Sequence, residues 1–181
     1  MLNDLAKLFY ETDILTIRKE QMDLDFYKAF SHPKSIRTLS EMAAQVIDDY
    51  AIDSITCLDE SLPYATHIAE LLDLPIQWVH GDKLIGEARS GEVIERTIFI
   101  SLATPNPTAM QELVSYFELV KVELVAVFNL IGVHDYPKDS AIQMINLAHL
   151  GQLLQVYRQL MIISEDEYNN LITLQEVQNP E

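Results

Sequence analysis

The central part of the chain alternates between short apolar segments and longer segments with a helical apolar stripe. Strands are predicted over residues 52–58, 75–80, 97–102 and 121–131, and helices over residues 33–50, 62–72 and 107–118. The segment KVELVAVFNLI is almost continuously apolar, which is typical of a central strand covered on both faces. Regular alternation of this kind predicts an α/β fold with a doubly wound parallel sheet.

The two ends of the chain have different patterns. A short helix is predicted over residues 2–10, a strand over 14–17, an edge strand within 143–150 and a helix over 151–161. The stretch Ser164-Glu165-Asp166-Glu167 is a capping box that opens a last helix. Residues 81–92 are polar and hold three of the five glycines, which predicts a mobile loop, whereas residues 23–30 have no clear pattern. Since no linker or repeat is visible, we expect a single domain over residues 1–181.

Charge and composition narrow the class of protein. The chain has 28 acidic and 12 basic residues and a formal net charge of −16, which opposes binding to nucleic acid or to an anionic membrane surface. The acidity favours a solvated surface, or alternatively a basic protein partner. The apolar runs are far too short to span a membrane, and no signal peptide is visible. The single cysteine, Cys57, excludes an internal disulfide and predicts a buried thiol. A cytoplasmic protein fits these features.

The turn LATPNPTAM joins a predicted strand to a predicted helix. Such turns often bind phosphate, because the first N–H groups of a helix are free. A phosphate loop normally uses glycine, which lets the backbone approach the anion closely. This turn contains Pro105 and Pro107 and no glycine, so two backbone donors are missing where an anion would need them.

The order of the elements resembles the type I phosphoribosyltransferases, and the orotate phosphoribosyltransferases most closely. FYETDILTIRKEQMDLDFYKAFSHPKSIRTLSEMAAQVI is similar to the family's N-terminal hood and first long helix. IDSITCLDESLPYATHIAELLDLPIQWV is similar to its strand, pyrophosphate loop, helix and next strand, and ISEDEYNNLITL resembles its C-terminal helices. The resemblance implies a parallel sheet with a small N-terminal hood and C-terminal helices, and it implies a homodimer.

The family's signature is a strand ending in two acids, a Thr-Thr-Gly-Gly-Ser-type loop and a helix. The resemblance implies that this loop binds the 5-phosphate of phosphoribosyl pyrophosphate and that the acids hold the ribose hydroxyls. Placed without a gap, the signature falls on residues 100–112, where Ser101 and Leu102 replace the acids. The remaining ligand-binding candidates at this turn are Ser101, Thr104, Asn106 and Thr108, of which the last two can equally cap the helix.

The pyrophosphate loop of the family is replaced here by Asp59-Glu60-Ser61. The carboxylates of Asp59 and Glu60 repel a diphosphate, and they can instead cap the next helix. The ligand-binding candidates of this loop are Glu60 and Ser61. Lys83 and Arg89 fall near the position where the family carries a catalytic lysine. They are the catalytic candidates of an active enzyme, or otherwise solvated loop charges. The five histidines have no metal-ligand spacing, and no metal site is predicted.

A preserved scaffold with a dismantled phosphate site predicts a protein that has lost ordinary catalysis. We expect a binding or regulatory module for an anionic small molecule or a protein partner, with no cofactor. The first alternative is a divergent but active orotate-type phosphoribosyltransferase of nucleotide metabolism, with Mg²⁺ held by Asp59 or Glu60. The second is a dimerisation or scaffold domain without a small ligand.

Overall fold

The computed structural model describes residues 1–18, 21–80, 83–86, 95–133 and 142–178. These residues form two compact units, one from residues 1–39 and 148–181 and the other from residues 40–147. The prediction of a single domain over residues 1–181 stays a prediction, because compact units of this kind also occur within one domain. None of the helices in the described ranges has the length and apolar character that a membrane crossing requires.

The first unit combines a β-hairpin with helices from both ends of the chain. Its elements are α1 (Leu2–Glu11), β1 (Leu15–Arg18), β2 (Gln21–Leu24), α2 (Phe26–Phe30), the start of α3 (Pro33–Ile47), α6 (Leu150–Gln159) and α7 (Glu165–Gln178). Helix α1 buries Leu5, Ala6 and Phe9 and packs against α6. The predicted capping box is confirmed, since the Glu167 N–H donates to the Ser164 hydroxyl and the Ser164 N–H donates to the Glu167 carboxylate.

The second unit is built on a six-stranded sheet. It contains β3 (Ser54–Leu58), α4 (Leu62–Leu72), β4 (Ile76–His80), β5 (Lys83–Gly86), β6 (Arg96–Ala103), α5 (Pro107–Val120), β7 (Glu123–Gly132) and most of β8 (Gln143–His149). The strand order is β5-β4-β3-β6-β7-β8. Strand β3 pairs in parallel with β4 and β6, and β6 pairs in parallel with β7. The predicted doubly wound parallel sheet is confirmed.

Both faces of the central strands are covered. On one face, Phe99 and Val127 pack against Met110 and Phe117 of α5, and the rings of Phe99 and Phe117 meet edge to face. On the other face the fully buried residues include Ile55, Ile98, Ile100 and Phe128. The connection through α4 moves one way along the sheet and the connection through α5 moves the other way. Right-handed crossovers therefore place these two helices on opposite faces.

Two predictions about local structure need correction. Residues 83–86 are not loop, because they form β5, which pairs antiparallel with β4 at the edge of the sheet. The apolar pair Leu84-Ile85 favours a strand, and Gly86 ends it with a φ of 130°, which a residue with a side chain rarely adopts. The unclear segment 23–30 contains the end of β2 and the short helix α2, which Asp25 caps by accepting from the Tyr27 N–H.

Candidate functional site

The carboxyl ends of β3, β4, β6 and β7 lie along one edge of the sheet, because these strands are parallel. Ligands of doubly wound proteins bind at this edge, where the direction of strand progression reverses. The reversal lies between β3, which leads through α4 to β4, and β6, which leads through α5 to β7. The two turns that flank this point are residues 59–61 and residues 104–106, so the structure brings the two predicted loops to one place.

Ser61 joins the first turn to the neighbouring strand. Its side chain is 1% exposed, and its hydroxyl lies 3.0 Å from the Ile100 carbonyl oxygen and 3.3 Å from the Leu58 carbonyl oxygen. Ser61 is the N-cap residue of α4, and no side chain caps this helix, so the expectation that the Asp59 or Glu60 carboxylate caps it is wrong. The Ser61 hydroxyl proton is directed at these backbone oxygens. The hydroxyl can therefore only accept a hydrogen bond from a ligand.

Asp59 meets a residue at the end of the neighbouring strand. His80 Nδ1 lies 2.6 Å from Asp59 Oδ2, and both side chains are more than half exposed. Nδ1 is thus engaged by the carboxylate, and Nε2 is the ring nitrogen that is left for a ligand. Glu60 is exposed beside this pair. The turn that would meet a diphosphate therefore presents two carboxylates, one of them engaged by an imidazole.

The turn between β6 and α5 has few free backbone donors. The Asn106 side chain accepts from the Ala109 N–H at 2.9 Å, which confirms Asn106 as the N-cap. Pro107, the first helical residue, has no N–H. Thr108, which is exposed, is then the one residue among the first three of α5 whose N–H is neither missing nor used by the cap. A helix N-terminus that offers a single amide holds a phosphate poorly.

The side-chain hydroxyls of the two other candidates at this turn, Ser101 and Thr104, form hydrogen bonds with backbone groups. The Ser101 hydroxyl donates to the Ala103 carbonyl oxygen at 2.7 Å. The Thr104 hydroxyl oxygen accepts from the Val133 N–H at 3.2 Å, and the Thr104 side chain is buried. The first bond lies within β6, and the second links the residue after β6 to the residue after β7. Both hydroxyls thus shape the turn, and their role toward a ligand stays a prediction.

Leu102, in the place of the second acid, is buried and lies on the sheet face opposite Ser101, because adjacent residues of a strand point to opposite faces. An aliphatic side chain there contributes to the core and offers nothing to a ribose hydroxyl.

Of the two catalytic candidates, the structure describes Lys83 and not Arg89. Lys83 is exposed at the start of β5, where it is the antiparallel partner of His80. Directly opposite residues share one face of a sheet, so the Lys83 ammonium projects from the same side as the His80–Asp59 pair. Arg89 lies outside the described residues.

Asn129 is a buried polar residue near this edge that the reading of the sequence did not single out. It is the partner of Ser101 in the pairing of β6 with β7, it is fully buried, and its amide nitrogen donates to the Asn146 side-chain oxygen at 2.9 Å. No hydrogen bond to its own side-chain oxygen is found within the described ranges. The signal was available, because Asn129 is the single polar residue in the apolar run from Leu124 to Ile131.

The chemistry of the remaining groups at this edge is limited. Burial raises the pKa of the Cys57 thiol to about 12, and the carboxylates of Asp59 and Glu60 add to the effect, so the thiol is neutral and unreactive at ordinary pH. This confirms Cys57 as a buried thiol. In the part of the chain that the structure describes, no three His, Cys, Asp or Glu side chains are grouped to hold a metal ion.

No family model and no curated protein matches the chain. Solved structures do resemble it. Leishmania donovani UMP synthase superposes with a TM-score of 0.82 at 17% identity, over 96% of this chain and 42% of that one. Francisella tularensis orotate phosphoribosyltransferase gives a TM-score of 0.72 at 13% identity, over 94% of this chain and 96% of that one.

A third similar structure is Mycobacterium tuberculosis orotate phosphoribosyltransferase in complex with 5-phospho-α-D-ribosyl 1-diphosphate. Its TM-score is 0.66 at 15% identity, over 84% of this chain and 98% of that one. Similarity at this level of identity establishes the fold and leaves the activity open. The chain has the fold of the type I phosphoribosyltransferases, as the resemblance in its sequence predicted.

Proposed function

We propose that this protein is a phosphoribosyltransferase-like binding or regulatory module without ordinary transferase catalysis. The observation that carries the proposal is the β6–α5 turn, where Pro107 and the Asn106 cap remove two of the first three helical N–H donors. A transferase must stabilise charge on the leaving pyrophosphate and hold the ribose phosphate. The described residues at this edge supply mainly carboxylates and hydroxyls that bond to the backbone.

The residues that remain available to a ligand are polar. Thr108 offers its N–H and an exposed hydroxyl, and His80 offers Nε2. These groups can bind a small polar molecule. We expect that binding to be weaker than the binding of a phosphoribosyl group by a phosphate loop. The proposal includes a cytoplasmic location, which the composition favours, and a homodimer, which the resemblance implies and which sedimentation velocity tests.

The Lys83–His80 pairing favours a second candidate, a divergent active phosphoribosyltransferase of nucleotide metabolism. Lys83 projects on the same face as His80 at the edge where substrates bind in this fold. A lysine there could compensate charge on a leaving pyrophosphate. The Asp59 and Glu60 carboxylates act against this role, since they repel the same anion.

Calorimetric titration of phosphoribosyl pyrophosphate with Mg²⁺ tests the proposal directly, with the Mycobacterium tuberculosis orotate phosphoribosyltransferase as the positive control. We expect no binding at micromolar concentration and no orotate-dependent release of pyrophosphate. A Pro105→Gly, Pro107→Gly double variant restores two N–H donors and should bind inorganic phosphate more tightly than the unmodified chain. Micromolar binding of the donor by the unmodified chain, or turnover with orotate, contradicts the proposal and favours the second candidate.

A further inference from the structure

The turn between α6 and α7 holds a methionine in an unfavourable backbone conformation. Met161 has a φ of 56°, in the left-handed region. The Ile162 N–H bonds to the Tyr157 carbonyl oxygen at 2.9 Å and the Met161 N–H bonds to the Arg158 carbonyl oxygen at 3.0 Å, which is the Schellman arrangement at a helix end. Glycine usually occupies this position, because a residue with a Cβ is strained there.

The side chain at this strained position is also exposed to water. Met161 is 91% exposed and the preceding Leu160 is 42% exposed. Among the described residues, the other non-glycine residues with positive φ are Asp13, Asp73 and Lys121, which are all charged. Exposure gives Met161 no packing that would offset the strain, so neither backbone geometry nor the core explains a methionine there. Backbone strain that no packing offsets is a basis for a functional hypothesis.

Leu160 and Met161 together form what we call the α6–α7 knob. Tyr10, at the end of α1, is 54% exposed, and its ring meets the ring of the buried Tyr157 edge to face, with centroids 6.1 Å apart. The backbone carbonyl of Tyr157 accepts the hydrogen bond that closes the turn around Met161. The contact between the two rings thus brings the end of α1 to the end of α6 that carries the knob.

The charges around the knob are predominantly negative. Glu11 and Asp13 follow Tyr10, while Glu165 and Asp166 open α7 just after the turn. The nearby base Arg158 is engaged, since it bonds to Glu165 at 3.0 Å and lies over the ring of Tyr168 at 4.4 Å. The rim is thus acidic, in keeping with the net charge of −16.

We propose that the α6–α7 knob is a docking surface for a basic protein partner, one that presents an apolar pocket beside Lys or Arg side chains. Charge complementarity selects this partner, because an acidic rim attracts bases and repels an anionic membrane. A second copy of the chain is disfavoured, since two knobs in contact would bring two acidic rims together. Methionine suits such a contact because its flexible thioether adapts to an irregular pocket. The inference does not depend on the proposed function of the sheet edge.

The probe is a fluorophore-labelled basic amphipathic peptide of leucine and lysine. Its fluorescence anisotropy is measured as the full chain is added. The key variant is Met161→Gly, which removes the side chain and also relieves the backbone strain, so it must fold. We expect it to weaken peptide binding by about tenfold while raising Tm. Leu119→Ser, which alters a 79% exposed leucine of α5 in the other unit, should leave the affinity unchanged.

Several results would overturn the proposal. These are the absence of peptide binding by the unmodified chain, or equal affinity of the unmodified chain and Met161→Gly. A dimer in sedimentation velocity that Met161→Gly abolishes would assign the knob to self-association instead. Binding to phosphatidylserine vesicles that depends on Met161 would assign it to a membrane. A fall in Tm for Met161→Gly would show that the methionine is retained for stability.

Discussion

The hydrogen bond of Ser61 across the two central strands allows a quantitative prediction. A hydroxyl carries one proton, so the Ile100 carbonyl oxygen at 3.0 Å is its main acceptor and the Leu58 oxygen at 3.3 Å a weaker one. Replacing Ser61 by alanine removes a net contribution of about 1 kcal/mol. The acceptor left buried at this position adds up to about 1 kcal/mol more.

The Ser61→Ala variant should therefore lose about 1–2 kcal/mol of unfolding free energy. For a chain of this length that loss corresponds to a fall in Tm of about 2–8 °C. Urea unfolding followed by circular dichroism measures the free energy, and a thermal scan measures Tm. The matched control is Thr108→Ala, which alters an exposed hydroxyl on the same edge of the sheet and should change stability by less than about 0.5 kcal/mol.

This comparison separates a structural hydroxyl from a ligand-binding one. If Ser61→Ala were as stable as Thr108→Ala, the hydroxyl would not be held by the Ile100 carbonyl, and the reasoning about the turn would fail. A variant of unchanged stability that lost affinity for a small ligand would show that Ser61 faces the ligand, as the resemblance implied.

Three further predictions concern the described residues. Gly86→Ala should destabilise the β4–β5 hairpin by about 2 kcal/mol or more, since its Cβ would lie 2.6 Å from the Ile76 carbonyl oxygen; amide exchange of β5 should rise. Tyr157→Phe should leave stability unchanged or raise it by about 1 kcal/mol in urea unfolding, because its buried hydroxyl has no hydrogen-bond partner in the described ranges. Burial raises the pKa of Cys57 from 9.0 to about 12, so between these values the folded state keeps a proton that the unfolded state loses. The free energy of unfolding should therefore fall as pH rises above 9.0, and Cys57→Ala should reduce that fall. A thiol reagent at pH 8 should react with Cys57 only after unfolding.

Polar groups at the carboxyl edge of the sheet bond to the protein itself. The bonds from Ser61 to Ile100 and from Val133 to Thr104 join neighbouring strands at the point of reversal. Asp59 and His80 add a further link between the ends of β3 and β4. These contacts hold the strand ends and the two turns together.

The sequence by itself determined the elements and their order. Helix α4 falls on the predicted residues 62–72, and the capping box at Ser164 is present as expected. The almost continuous apolar run around Phe128 predicted a strand buried on both faces, and β7 is such a strand. These features depend on contacts between residues a few positions apart, or on the period of the apolar pattern, and both can be read along the chain.

Only the tertiary structure decided which side chains meet. Asp59 and His80 are 21 residues apart, and Ser61 and Ile100 are 39 residues apart, so their contacts depend on the strand order and the register. The placement of Lys83 in an edge strand likewise required β4 as a partner, since four residues have too weak a pattern alone. Long-range pairing creates these contacts, and no local preference of the backbone predicts them.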